Sequence, residues 1–253
     1  MHPNIKNIFS KIEKSTIQTD PFEHLVIDNL LPDDFYKDLA KEFNAEDFHR
    51  HYESGGYGNK ERYGVDITNY SAWAGSGRKI GTTLHQDNYN SLLSRDHTNL
   101  EFFVNLLLKN EKDFYSLLSS KLTTERLQDN YFYHVSMIKD VAGYEVKAHP
   151  DNQQNIFTIL FYTPETDINR EFGLQVYKDG GNTPVAVGSS LPSSNRYLET
   201  AGEIDFLPNR MIIFAPSYPD ESRPTTWHSV HRVSNKLVGT RNSFQMFFYR
   251  NNK

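Results

Sequence analysis

From Asp129 onward the chain changes its periodicity, and that change limits the possible folds more than any other feature. Apolar, β-branched and aromatic residues alternate with period two in YFYHVSMI, YEVKAH, NIFTILFYT, FGLQVYK, EIDFLP, RMIIFAP, HSVHRV and RNSFQMFFYR, the pattern of strands with a buried face. About eight strands in roughly 120 residues is the density of a jelly roll. The 15 Tyr and 17 Phe suit a sheet-rich core with ring-lined clefts. Asp179 to Thr200, rich in Gly, Ser, Asn and Pro, reads as a linker between strands that could serve as a lid.

The first half reads differently. FEHLVIDN, residues 22–29, predicts a short strand, and Pro32-Asp33-Asp34 then opens a helix with Phe35, Leu39 and Phe43 on one face. From about Arg50 to Asn90 the text turns to Gly, Tyr, Asn and Ser, which signals loops, and so long a loop-rich stretch is often functional, here a candidate substrate cover. Between Asn99 and Leu127, Phe102, Phe103, Leu106, Leu107, Phe114, Leu117 and Leu118 recur at helical spacing, predicting one or two amphipathic helices that brace a sheet. The expectation is one domain over residues 1–253, mainly β with a helical annex: 1–128 supply the opening strand, loops and bracing helices, and 129–253 the β core.

Charge and cysteine content remove several function classes. With 27 Lys plus Arg against 32 Asp plus Glu the net charge is -5, and no basic block could track phosphates, so nucleic acid is not an expected partner. The chain has 0 Cys; disulfides, thiolate metal sites and a cysteine nucleophile are excluded, and a metal would have to be held by His and carboxylate. MHPNIKNIFSKIEKS lacks the apolar run of a signal peptide, and no stretch reaches the roughly 18 apolar residues of a membrane span. A soluble, cytoplasmic protein with no membrane partner is expected.

Candidate metal ligands come from an H-x-D tripeptide. Residues i and i+2 of a strand share a side, so His149 and Asp151 can grip one metal together. Alone this is weak, because chance supplies an H-x-D at a rate of order one half, and His85-Gln86-Asp87 is a second copy. That copy sits in Asn-rich loop text with no strand after it. His149 and Asp151 instead follow a turn containing Gly143 and lead into the apolar run Ile156 to Tyr162, while Trp227-His228-Ser229-Val230 begins another strand far downstream. Two His and one carboxylate on one face of a metal leave open positions, the arrangement non-haem Fe(II) oxygenases use; structural zinc prefers a closed tetrahedral set.

Arg241 and Ser243 lie downstream of His228 in Arg241-Asn242-Ser243, on one face of a strand by the period of two. A buried Arg needs a partner, and a planar guanidinium meets a carboxylate with two parallel hydrogen bonds.

Taken in order, GYEVKAHPD, FTILFYT, EFGLQVYKD, RMIIFAP, WHSV and RNSFQMFFY resemble the 2-oxoglutarate and Fe(II)-dependent dioxygenase superfamily, in particular its prolyl-4-hydroxylase-like branch. The resemblance covers about Tyr131 to Arg250, and PFEHLVIDNLLPDDFYKDLAKEF resembles the branch's opening strand and helix. It implies a double-stranded β-helix, a jelly roll of the cupin-like kind. It implies His149, Asp151 and His228 as iron ligands and Arg241 on the C5 carboxylate of 2-oxoglutarate, with Tyr162 as a further contact; Ser243, on the Arg241 face by strand spacing, could add another hydrogen bond. The implied reaction consumes 2-oxoglutarate and dioxygen, releases succinate and carbon dioxide, and hydroxylates an unactivated C–H bond, with ascorbate as an optional reductant. Asp151 stands where halogenating members carry Gly or Ala, which points to a hydroxylase. Two departures stand out: Phe172-Gly173 replaces a Gly-Gly pair, and Arg241 stands where many prolyl hydroxylases carry Lys.

The blander readings are explicit. Tyr131, Tyr133 and Tyr144 are candidates for the pocket wall but fit core packing better; Trp227 reads as packing, and His231, an odd number of residues from His228, as surface. The substrate is expected to be a small molecule or peptide, a prolyl side chain or free amino acid first. The alternative is a non-catalytic jelly-roll module that binds carbohydrate or protein beside a vestigial metal site.

Overall fold

The computed structural model describes residues 3–46, 61–70, 82–84, 98–186, 195–219 and 221–251. Two antiparallel sheets face one another. The larger runs β1 (His24–Ile27), β10 (Arg210–Phe214), β7 (Asn155–Tyr162), β12 (Arg241–Arg250), β5 (Tyr131–Asp140) and β2 (Arg62–Asp66). The smaller runs β6 (Val146–His149), β11 (His228–Val230), β8 (Leu174–Ala186) and β9 (Asn195–Ile204). The last eight strands, β5 to β12, divide four and four between the sheets, a jelly roll as the period-two pattern anticipates and the double-stranded β-helix that the resemblance implies. A separate two-stranded pair joins β3 (Thr68–Tyr70) to β4 (Thr82–Leu84).

Alternation along each strand of the larger sheet separates two interiors. One face carries Leu25, Val135, Met137, Phe157, Ile159, Phe161, Ile213, Phe244 and Met246 into a core shared with the helices. These are α1 (Pro3–Lys14), α2 (Asp33–Ala45), α3 (Thr98–Lys109) and α4 (Glu111–Lys121). Phe103 packs on both Phe161 and Phe244, with ring centroids 5.2 and 4.9 Å away. The other face sends Leu160, Tyr162, Ile212 and Phe214 between the sheets, against Leu174, Val176 and Val230. Among the described residues no helix is long and apolar enough to cross a membrane.

Several expectations change. The N-terminal segment, read only for its lack of a signal sequence, is helix α1, whose Ile5, Ile8 and Ile12 keep helical spacing and are buried. Helix α2 buries Tyr36 with Leu39 and Phe43, while Phe35 packs at the margin against Phe102. The helical run after Asn99 ends at Lys121. The Gly- and Tyr-rich stretch contributes three strands, and β2 extends the larger sheet beside β5. Asp179 to Thr200 is not a linker in its described parts: β8 and β9 form a hairpin that pairs as far as Ala186 with Asn195. Its loop-like composition is absorbed by a bulge between Asp179 and Thr183, where Gly180 has φ +90, a backbone state glycine adopts freely. His85 and Asp87 lie outside the described residues, as do 187–194.

Candidate metal centre and an arginine across the barrel

His149 ends β6 and His228 begins β11; these two residues are direct cross-strand partners, which places their rings 4.3 Å apart. Asp151 arrives by a different route from strand alternation. The strand stops at His149, and Asp151 takes a left-handed backbone conformation, φ +66, uncommon outside glycine but open to Asp. That turn brings its Oδ1 to 3.3 Å from His149 Nε2 and 3.4 Å from His228 Nε2. One ligand atom from each of the three lies within 4.8 Å of the others.

The surrounding contacts define which atoms face inward. His149 Nδ1 donates to the Lys147 carbonyl at 2.9 Å and His228 Nδ1 to the Thr226 carbonyl at 2.8 Å. Each ring thereby has a proton on the outer nitrogen, and both Nε2 atoms point at one carboxylate oxygen. A proton on an imidazole or a metal cation among the three reconciles them, and a ring N–H held by a backbone carbonyl is the usual support of a metal-binding histidine. Thr158 Oγ1 donates to Asp151 Oδ2 at 2.6 Å, leaving Oδ1 for the centre, and the Tyr218 hydroxyl donates to the Asp151 carbonyl. Burial alone would raise the Asp151 carboxyl, but the neighbouring His228 and His149 hold it well below the usual carboxylate range. Burial would lower His228, yet Asp151 beside it lifts the imidazole above its ordinary value.

Arg241 begins β12 and is 2% exposed. Its Nε donates to the Phe172 carbonyl at 2.6 Å, one terminal nitrogen to Asp140 Oδ2 at 2.8 Å, and the other reaches the Tyr162 hydroxyl at 3.4 Å. The guanidinium lies 5.3 Å from both the Tyr162 and Phe206 ring centroids. Asp140, fully buried, also accepts two hydrogen bonds from Arg62, at 2.6 and 3.0 Å. One carboxylate is therefore shared by two guanidiniums and compensates Arg241 only in part. Ser243, on the same face two residues on, is fully buried with a hydroxyl that has no hydrogen-bond partner.

The remaining candidates separate by face. Tyr131 and Tyr133 belong to the helix-side core, Tyr131 stacking on Tyr115 at 3.8 Å. Tyr144 faces the inter-sheet interior beneath Arg62, 4.2 Å from its ring. Trp227 is buried packing beside Ala148 and donates Nε1–H to Asp179 at 2.8 Å; His231 is exposed. Asp140, Arg62, Thr158 and Tyr218 had no motif to mark them. Only the demand of a buried Arg241 for a counter-charge pointed toward an acid.

No protein-family model matches the chain, and no curated protein does. Among solved structures it is similar to the Fe(II)/α-ketoglutarate-dependent dioxygenase TqaL, with 12% identity over 100% of this chain and 92% of that one and a TM-score of 0.52. A Pseudomonas putida prolyl-4-hydroxylase aligns at 11% identity, 98% and 100% coverage and a TM-score of 0.49. An oxidoreductase of the 2OG-Fe(II) oxygenase family from Burkholderia pseudomallei aligns at 15% identity, 76% and 67% coverage and 0.40. The likeness to TqaL is one of fold: the chain has the double-stranded β-helix of an Fe(II)/α-ketoglutarate-dependent dioxygenase.

Proposed function

We propose that this protein is an Fe(II)- and 2-oxoglutarate-dependent dioxygenase that hydroxylates an unactivated C–H bond of a small molecule or peptide, a prolyl group or free amino acid first among them. His149, Asp151 and His228 hold the iron, and Arg241, Ser243 and Tyr162 bind the far carboxylate of 2-oxoglutarate. The observation that carries the reading is the convergence of two outward-anchored imidazoles on one carboxylate oxygen, with a half-compensated arginine buried at the far end of the same interior.

The donor set fits Fe(II): two imidazoles and one carboxylate form a facial triad with positions left open, and 0 Cys removes the ligands a structural zinc site favours. Bound there, the iron supplies the activation of dioxygen that couples 2-oxoglutarate decarboxylation to C–H oxidation. The protein's own part is placement. Thr158 fixes which oxygen Asp151 offers, and the backbone carbonyls of Lys147 and Thr226 orient the two rings. Arg241 turns its charge toward an incoming carboxylate, and the Ser243 hydroxyl has a donor to give it. Both neighbours being buried, that ion pair forms where water competes little. A cytoplasmic location, where Fe(II) and 2-oxoglutarate are both available, suits this chemistry.

Anaerobic titration of the Fe(II)-reconstituted protein with 2-oxoglutarate tests the assignment through the weak visible charge-transfer band of the chelate. The band should need His149, Asp151 and His228, and Arg241→Ala should raise the concentration of 2-oxoglutarate required by roughly 100-fold, the loss of a charge-assisted pair. No band in the wild type would favour a non-catalytic binding module.

A further inference from the structure

Arg62 of β2, Asp140 of β5 and Arg241 of β12 stand in one row across the larger sheet, with Asp140 the cross-strand partner of both arginines. Cross-strand partners share a face, and Arg241 lies against Tyr162 and Phe206 of the inter-sheet interior, so the row points between the sheets. The two arginines do not divide the carboxylate evenly. Arg62 takes it as a fork, Nε donating to Oδ1 at 2.6 Å and a terminal nitrogen to Oδ2 at 3.0 Å, whereas Arg241 reaches only Oδ2, through one terminal nitrogen at 2.8 Å. The Arg62 guanidinium is itself fixed over the ring of buried Tyr144, 4.2 Å from the centroid. Two parallel hydrogen bonds are the preferred meeting of guanidinium and carboxylate, and in this row Arg62 has them. The rest of Arg241 meets neutral groups, the Phe172 carbonyl at 2.6 Å and the Tyr162 hydroxyl at 3.4 Å.

Resting on the proposed dioxygenase reading, we infer that Arg62 is a positioning residue for the co-substrate: by occupying Asp140 it stops that carboxylate from closing on Arg241, and so keeps the Arg241 guanidinium open to the far carboxylate of 2-oxoglutarate. Within the row two guanidiniums face one carboxylate, and the incoming carboxylate supplies the second anion. Without Arg62 the row is neutral. Asp140 can then turn both oxygens to Arg241, and a second carboxylate brought there is buried beside an anion that has already taken the charge, which is costly. Without Arg62 and Asp140 together, the positive charge returns, carried by Arg241 alone. An Arg62 that only ties β2 to β5 makes the opposite forecast, because removing its partner as well adds a second defect and restores nothing.

The experiment compares wild type with Arg62→Met, Asp140→Asn and the double variant, each loaded with Fe(II) without oxygen. Each is titrated with 2-oxoglutarate and with 2-oxobutyrate, which chelates through the same keto-acid end but has no far carboxylate; the charge-transfer band reads binding. Arg62→Met should weaken 2-oxoglutarate about tenfold or more and leave 2-oxobutyrate and the affinity for Fe(II) at wild-type values. Adding Asp140→Asn to it should return 2-oxoglutarate to within about threefold of wild type, and Asp140→Asn alone should bind 2-oxoglutarate at least as tightly as wild type. Should Arg62→Met fail to fold, Arg62→Lys keeps the charge but gives up the fork, and should weaken 2-oxoglutarate by about threefold or more with 2-oxobutyrate unchanged. Unchanged 2-oxoglutarate affinity in the folded Arg62 variant, an equal loss for both ligands, or a double variant no better than Arg62→Met would overturn the inference and leave the dioxygenase reading standing. A wild type without the band would remove both.

Discussion

At the scale of single residues, the site depends on two geometries that side-chain identity alone does not convey. Asp151 reaches the two imidazoles only because its backbone turns left-handed after β6 ends, so the convergence that strand alternation suggests for H-x-D is reached by a different geometry. Which of its oxygens faces inward is decided by Thr158, 2.6 Å away. Thr158→Val keeps the shape and deletes that donor; we expect iron affinity to fall by about 10-fold or more, the usual range for outer contacts of metal ligands, with little change in unfolding temperature. Equilibrium competition with a chelator measures it. His149, Asp151, His228 and Arg241 were legible because each stands in a strand-like context at a telling spacing. Asp140 and Arg62 were not: their partnership spans 78 positions and exists only because β2 adds to β5.

Among the elements, the strands were legible and the turns between them less so. Seven of the eight alternating segments fall on β5 to β8 and β10 to β12, because half-buried strands need that alternation, while EIDFLP overlaps only the last two residues of β9. The β8–β9 hairpin was read as a linker because Gly, Ser, Asn and Pro outweighed its pairing, which depends on a partner strand and not on local preference. Gly173, the one glycine kept where the resembled branch carries a Gly-Gly pair, shows a local need: a Cβ there would lie 2.0 Å from the Ile204 carbonyl oxygen. Gly173→Ala should therefore push the start of β8 off the end of β9 and lower the unfolding midpoint in denaturant, although alanine suits an extended backbone. Helix bracing has its own test. Phe103 is 1% exposed and touches two strands through Phe161 and Phe244; Phe103→Ala should cost ~3–5 kcal/mol by equilibrium unfolding while leaving the metal-centre geometry in place.

For the whole molecule, the division at residue 128 separates motif from support less cleanly than the sequence suggests. All the proposed ligands lie after it, and the resemblance is carried mainly by that half, with the opening strand and helix of residues 21–43 added to it. Yet the larger sheet ends in β1 on one side and β2 on the other, both contributed by the first 70 residues. Helices α1 to α4 cover the face of that sheet that carries Phe157, Phe161 and Phe248. A fragment beginning at residue 129 would keep every candidate ligand and still present β10 and β5 as open edges beside a bare aromatic face. Open edges recruit other strands, so light scattering on the isolated fragment should show rapid association where the full chain stays dispersed. The N-terminal half thus serves as a built-in guard against self-assembly, a duty the chain must discharge during synthesis, when β1 and β2 are made first and wait unpaired for the strands they will shield.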